Sequence, residues 1–501
     1  MTSSGSRIAS STSTLVSSAS PTPALMALAP QLKRLGRHSV IYGLGGLVSR
    51  ILAVLLLPLY TRYLSPSDYG TVETLIAAMA VLVIVLRFGI SNAFFRFYFD
   101  SKEQKERVTV LRTSFWFTMT MATAGLVVGV ALAPQISHVL FGTDHEANLV
   151  RAAFVGLWAQ MNYEQLTSLF RVEERSVAFV IASLANILIT VGATIVLVVA
   201  LHKGPLGVIV GNFLGTLTVY VALLGFRREQ LGLEFDRELF RAMNRFGMPL
   251  VPSALFLWVT NFADRFILVK LVNTHEVGLY SVGVRIASAM ILLLTAFRTA
   301  WPAFAYSIER EDEAKSTYGF VLTYLVVLSS WVAAGLALLS PWLVRWLAAP
   351  DFASASRVVG PLAFSTVAFA GYVVIAIGVG RARRTQFNWV VSGIGGALNI
   401  GLCFALIPDH GMMGAAIATV ASYVMMFVTM AWWSQRVYPV PYQWRRVTIA
   451  IGVALALVAA GKLGDVGLAG SAALALAYPL ALAPFGFYLP VERRKLRALL
   501  G

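Results

Sequence analysis

Asp264 and Arg265 stand side by side in the run NFADRFILVKLVNTHEVGLYSVGVRI, residues 261–286, and Arg285 falls one residue before its end. The run is otherwise apolar enough for a lipid bilayer. An ionisable group at bilayer depth costs at least about 2.5–3.5 kcal/mol on insertion scales, so such groups face a protein interior or a water-filled cavity. Three more arginines, Arg50, Arg87 and Arg298, fall inside apolar runs, whereas the acids available there are Asp264, Glu164 and, near a helix end, Glu73. The balance is a positive surplus. A guanidinium stays charged and its planar fork donates two parallel hydrogen bonds to phosphate oxygens, so the surplus fits a phosphorylated ligand.

Depth narrows the roles. Counted from Lys270 and Val277 at 1.5 Å per residue, Asp264 and Arg285 lie roughly 9 and 12 Å below one surface. They are level across a short connection, which predicts an Asp264–Arg285 ion pair between two antiparallel helices. Arg265 is the other partner open to Asp264, and the arginine left over is free for phosphate. Arg50 sits at mid-depth and is the best single ligand candidate. Arg87 and Arg298 lie closer to the cytoplasmic face, where a long side chain can snorkel to the interface.

Weaker signals surround these charges. The stretch WAQMNYEQL, residues 158–166, offers Gln160 and Asn162 as partners for sugar hydroxyls, and Asn261 can do the same. Helix-to-helix hydrogen bonding is the commoner use of such groups.

The elements that must position these residues follow from composition. The chain of 501 residues is 58% hydrophobic and 13% charged, against about 25% charged in an average soluble domain. It reads as an all-α integral membrane protein. A net charge of +16 would point to nucleic acid in a soluble chain, but no basic block is interleaved with exposed aromatics, so nucleic acid is excluded and the charge is topological. The single cysteine, Cys403, gives neither a disulfide framework nor a metal-ligand spacing. No HExxH, GxSxG or Walker sequence is present, which predicts a chain without a cofactor or metal and no enzyme.

A bilayer core takes about 20 apolar residues per helix, and about fourteen runs qualify. They fall near 39–60, 70–94, 113–134, 147–169, 177–201, 205–226, 247–270, 277–304, 316–340, 355–380, 385–407, 411–434, 447–462 and 467–489. Of the 40 Lys and Arg, only Arg62, Arg151, Lys203, Lys270, Arg345, Arg357 and Lys462 fall in loops or at span ends on the side away from the N-terminus. By the positive-inside rule both termini are predicted cytoplasmic.

The chain also repeats. Arg37 pairs with Arg245, Arg62 with Lys270, Asp68 with Glu276 and Gly70 with Gly278, all at an offset of 208. A second register, at 207, pairs Pro134 with Pro341, Asp144 with Asp351, Gly204 with Gly411 and Gly207 with Gly414. Six spans per unit is an even number, so the two units enter the membrane from the same side and are related by an axis along its normal. The predicted organisation is a disordered tail (1–36), an N-lobe of six helices (37–228), a cytoplasmic linker (229–246), a pseudo-symmetric C-lobe of six helices (247–436), two C-terminal helices (437–489) and a basic tail (490–501). A cleft between the lobes would be lined by the intramembrane arginines.

The opening SVIYGLGGLVSRILAVLLLPLYTRYLSPSDYGTVETL and its echo NFADRFILVKLVNTHEVGLYSVGVRI resemble the polysaccharide-synthesis flippase family of the multidrug/oligosaccharidyl-lipid/polysaccharide exporter superfamily, over about residues 37–436. The resemblance implies a two-lobed bundle in the bacterial inner membrane that flips undecaprenyl-diphosphate-linked oligosaccharide for O-antigen, capsule or exopolysaccharide export. It also implies rocking between inward-open and outward-open states, coupling to an ion such as H+ or Na+, and association with membrane lipids and polysaccharide-assembly proteins. In that setting Arg50, Arg265, Arg285, Arg87 and Arg298 would meet the diphosphate, and Asp264 would hold a neighbouring arginine when the cavity is empty. Competing readings are a cation-coupled drug antiporter or a peptidoglycan-precursor flippase of the same superfamily. A membrane-embedded glycan polymerase or ligase is the alternative of another class; it calls for a large extracytoplasmic loop, which the sequence lacks.

Overall fold

Ser65 and Asn273, one repeat length apart, each open a helix. Ser65 forms a reciprocal capping box: the Asp68 amide donates to its hydroxyl at 3.2 Å, and its own amide donates to the Asp68 carboxylate at 3.1 Å. Asn273 accepts from the Glu276 amide at 2.9 Å. These side chains satisfy backbone N–H groups that a helix start leaves unpaired. The two family-like motifs are thus helix-start signals in equivalent places.

The computed structural model describes residues 54–490 other than 383, 385 and 386. The helices are α1 (Leu57–Tyr63), α2 (Pro66–Arg87), α3 (Ile90–Asp100), α4 (Gln104–Ala131), α5 (Ala133–Phe141), α6 (Ala147–Val172), α7 (Ser176–Ile195), α8 (Gly204–Arg227), α9 (Arg237–Gly247), α10 (Val251–Leu271), α11 (Thr274–Ala287), α12 (Ala289–Ser307), α13 (Glu311–Leu347), α14 (Ser356–Arg381), α15 (Phe387–Val437), α16 (Trp444–Leu463) and α17 (Leu468–Ala481). A π-helical turn, Val196–Ala200, extends α7. No strand occurs among the described residues.

The packing of α2 on α11 carries the repeat into three dimensions. A Cβ on Gly70 would stand 1.8 Å from the Thr274 carbonyl oxygen, and one on Gly278 would stand 1.9 Å from the Pro66 carbonyl oxygen. Residues 66 and 274 are related by the same offset as 70 and 278. The contact is therefore reciprocal, as a two-fold relation between α2 and α11 requires. The second register has its own backbone signature: Gly204 and Gly411 hold φ of +53° and +52°, a region open to glycine without a Cβ penalty. At the far end of α2, a Cβ on Gly89 would lie 2.2 Å from the Gly247 carbonyl oxygen, so the lobes also touch there.

Several expected spans are reshaped. The run 70–94 breaks at Phe88 and Gly89, both at positive φ, into α2 and α3. The run 277–304 divides at Ser288 into α11 and α12. The runs 385–407 and 411–434 join as the 51-residue α15, bent at Gly411. The linker 229–246 is not featureless, because Asp236 caps α9 by accepting from the Glu238 and Leu239 amides.

Ten described helical stretches are long and apolar enough to cross a membrane, by length and composition. The protein is a multi-span, all-helical membrane protein. The number fourteen stays an expectation, since the first span, 39–60, lies mostly outside the described residues, as do the 1–36 tail and nearly all of 490–501.

Candidate functional site

The α2–α11 contact brings two charges together. Glu73 follows Gly70 by three residues and Arg285 follows Gly278 by seven, so both emerge just beyond the closest approach of the helices. Arg285 Nη2 donates to Glu73 Oε1 at 2.6 Å. The same guanidinium lies over the Tyr69 ring, 5.5 Å from its centroid. This is a bridge between lobes, buried on the Glu73 side.

The bridge corrects the expected Asp264–Arg285 pair. Asp264 instead takes its neighbour: Arg265 Nη1 donates to Asp264 Oδ1 at 3.3 Å and to the Asn261 carbonyl oxygen at 2.8 Å. Tyr280 donates its hydroxyl to Asp264 Oδ2. The reason lies in helix geometry. Arg265 can fold back along its own helix to reach Asn261, one turn away, whereas Arg285 points to the opposite lobe. Asp264 and Arg265 are 3% and 5% exposed, so they form a closed polar knot within the α10–α11 hairpin.

Each other predicted residue among the described ones has a definite place. Arg87 Nη1 donates to Glu164 Oε2 at 2.7 Å, and its Nη2 donates to the Met161 carbonyl oxygen at 3.3 Å, so it is paired within the N-lobe. Arg298 is exposed and stacks on Phe369, 5.5 Å from its centroid. Asn162 is fully buried and donates to the Trp158 carbonyl oxygen at 2.8 Å within α6, away from either cavity described below. Gln160 donates to Glu164 Oε1 at 2.9 Å. Asn261 donates to the Leu257 carbonyl oxygen at 2.6 Å. Arg50 lies outside the described residues. Trp258 donates its indole N–H to the Ala77 carbonyl oxygen at 3.0 Å and so forms a second link between lobes.

Two polar cavities flank the knot and the bridge. The larger, about 340 Å³, is walled by α2, α6, α7 and α8, with Arg285 and Glu73 on one side and Gln160 and Glu164 on another. The smaller, about 90 Å³, lies in the C-lobe against Asn261, Asp264, Tyr280 and Thr419. The structure thus gathers Arg285, Glu73 and Gln160 around one cavity and places Asn261 and Asp264 on the other. Asn186, Thr190, Asn212 and Thr216 of the larger cavity were not read from the sequence. A comparison of α7 with its mates at offset 207, Gly393 for Asn186 and Ala397 for Thr190, would have singled out those two; Asn212 and Thr216 have polar mates, Thr419 and Tyr423. No cluster of His, Cys, Asp and Glu suited to a metal ion occurs among the described residues.

Residues 59–357 match the family model described as polysaccharide biosynthesis protein. The Lipid III flippase of Escherichia coli (strain K12) is 24% identical over 413 residues, covering 77% of this chain and 92% of that relative. The Lipid III flippase of Shigella flexneri matches to the same extent. Among solved structures, Lipid II flippase MurJ in its inward closed conformation is similar with a TM-score of 0.73 at 14% identity, covering 91% of this chain and 100% of that one. An inward-facing multidrug resistance MATE family transporter of the MOP superfamily gives 0.66 at 14% identity, covering 77% and 94%. The fold is that of this superfamily.

Proposed function

Because the chain belongs to the polysaccharide biosynthesis protein family, we propose that it flips an undecaprenyl-diphosphate-linked oligosaccharide across the bacterial inner membrane by alternating access. The observation that carries this reading is the Arg285–Glu73 bridge between the lobes, on the wall of a polar N-lobe cavity to which α11 contributes Arg285. In the closed arrangement Glu73 neutralises Arg285. A diphosphate that enters the cavity competes for the same guanidinium with more charge and more acceptor oxygens, so its binding favours the arrangement in which the bridge is broken. A ligand shifts a two-state equilibrium only through such a difference in affinity. The lipid chain stays in the bilayer, the termini lie in the cytoplasm, and an ion gradient of H+ or Na+ resets the lobes.

Arg285 takes the ligand role because, of the described intramembrane arginines, it is the one on the cavity wall. Arg265 serves the hairpin. The 0.73 TM-score over the whole of the Lipid II flippase structure favours a second reading, a peptidoglycan-precursor lipid as cargo. The lipid diphosphate chemistry is common to both.

Reconstitution tests the proposal. Proteoliposomes holding the purified chain and a fluorescent polyprenyl-diphosphate oligosaccharide in one leaflet should show movement to the other, at a rate at least tenfold that of empty vesicles. Cation-driven efflux of a lipophilic dye without lipid movement would instead establish the drug-antiporter reading.

A further inference from the structure

Beside the Arg285–Glu73 bridge, the larger cavity holds a strip of neutral polar groups that the diphosphate role does not use. Asn186 Oδ1 accepts from Thr190 at 3.2 Å and from Thr216 at 3.4 Å. Gln160, Tyr163 and Asn212 complete the strip. Such groups are expensive at membrane depth, so their presence needs a reason.

The internal repeat shows that the fold is not the reason. At offset 207 the C-lobe places Val367 for Gln160, Ala370 for Tyr163, Gly393 for Asn186 and Ala397 for Thr190, while Thr419 and Tyr423, the mates of Asn212 and Thr216, stay polar. The same helix arrangement is built there without four of these six hydrogen-bonding side chains. The corresponding space has also shrunk, to about 90 Å³ against about 340 Å³ in the N-lobe. The N-lobe therefore keeps the roomier chamber, with hydrogen-bonding side chains on α6 and α7 that the C-lobe lacks at the matching positions.

We infer that this chamber of the N-lobe is a subsite for the first sugar of the lipid-linked glycan, read through Gln160, Asn186, Thr190, Asn212 and Thr216. The chemistry fits a neutral polyol. Carboxamides and hydroxyls both donate and accept, as sugar hydroxyls do. The acids on the wall, Glu73 and Glu164, are engaged by Arg285 and Arg87, so the chamber is not built for a cation. Tyr60 and Tyr69 line the same chamber and add apolar surface beside the polar strip. A volume of about 340 Å³ falls at the lower end of small-molecule sites, about 300–1,000 Å³. Contact with Arg285 sets the sugar next to the diphosphate. The inference rests on the proposed function and adds the part of the cargo that gives it identity.

The test compares two probes on the full chain in lipid nanodiscs: geranylgeranyl diphosphate, and the same lipid carrying N-acetylglucosamine on its diphosphate. The wild-type protein is expected to bind the sugar-bearing probe about tenfold more tightly, the worth of one or two hydrogen bonds. Asn186→Ala, and separately the pair Gln160→Val with Thr190→Ala, should bring that ratio close to one. The paired substitutions install the residue types the C-lobe carries at the same places, so the fold accepts them, and a thermal melt checks it. A wild-type ratio near one, or a ratio that survives both variants, overturns the subsite. Arg285→Ala separates the two readings. It should weaken both probes in parallel; if it changes neither while Asn186→Ala abolishes the preference, the glycan subsite stands and the diphosphate role of Arg285 falls.

Discussion

Arg285 on α11 donates to Glu73 on α2 across 2.6 Å, and the two residues belong to different halves of an internally repeated chain. Each helix is held against the other by a glycine one or two turns away, Gly70 and Gly278, whose missing side chains make the approach possible. The charge that a phosphorylated cargo would seek is therefore also the charge that ties the lobes together. Under the proposed function, binding and lobe motion would act on one guanidinium.

Breaking that pair should cost about 3 kcal/mol, the usual scale for leaving one partner of a buried ion pair alone. Glu73→Gln and Arg285→Gln are each expected to lower stability by that order in chemical denaturation. The exchange of both charges, Glu73→Arg with Arg285→Glu, should restore most of the loss. A double-mutant cycle measures the coupling, and additive effects would show that the two residues act separately.

The glycine contact makes a geometric prediction. Cβ atoms at 1.8 and 1.9 Å from carbonyl oxygens must move out by about 2 Å to reach ordinary contact. Gly70→Ala or Gly278→Ala should widen the distance between spin labels at Ser67 and His275 by that amount, read by electron double resonance. An unchanged distance would mean that α2 and α11 are not held in place by this contact.

Arg265 is expected to behave as a structural residue. Its removal leaves Asp264 with Tyr280 but no cation, a loss of about 3–5 kcal/mol for a buried pair. Arg265→Ala should melt well below the wild type, while the folded fraction keeps its affinity for geranylgeranyl diphosphate within about twofold. A large affinity loss with an unchanged melt would restore Arg265 to the ligand set.

The linker gives a pH signature. Glu234 accepts from Arg112 at 2.7 Å and from Thr109 at 3.0 Å, and these bonds hold its carboxyl below the ordinary glutamate range. A carboxylate depressed in the folded state stabilises above its unfolded pKa and loses that contribution as pH falls through the folded value. Hydrogen-exchange protection of residues 232–240 should therefore hold through mildly acidic buffer and drop only as the pH falls below the ordinary glutamate range. Glu234→Gln should flatten that dependence, and a variant with the same pH profile would assign it elsewhere.

How much of this was legible in the sequence differs between fold and site. Hydropathy, the segregation of Lys and Arg, and pairs such as Gly70 with Gly278 carry the helical, two-lobed plan because they depend on local composition. Helix breaks at Gly89 and Ser288 were not legible, since an apolar run looks the same straight or broken. The ion pairs were half legible. The Asp264 and Arg285 depths were counted along neighbouring helices, but the partner of Arg285 lies 212 residues away, and sequence spacing carries no information about a contact between lobes. The N-lobe chamber was missed because Asn186, Thr190 and Asn212 are isolated polar positions whose meaning comes from convergence in space.

The most direct measurement of the central claim is the affinity of the purified chain for geranylgeranyl diphosphate with and without the Arg285 guanidinium. Charge-assisted hydrogen bonds are worth about 1.5–3 kcal/mol, so Arg285→Ala should weaken binding about 10- to 100-fold, with Arg285→Lys in between. Wild-type affinity in a folded Arg285→Ala protein would contradict the account.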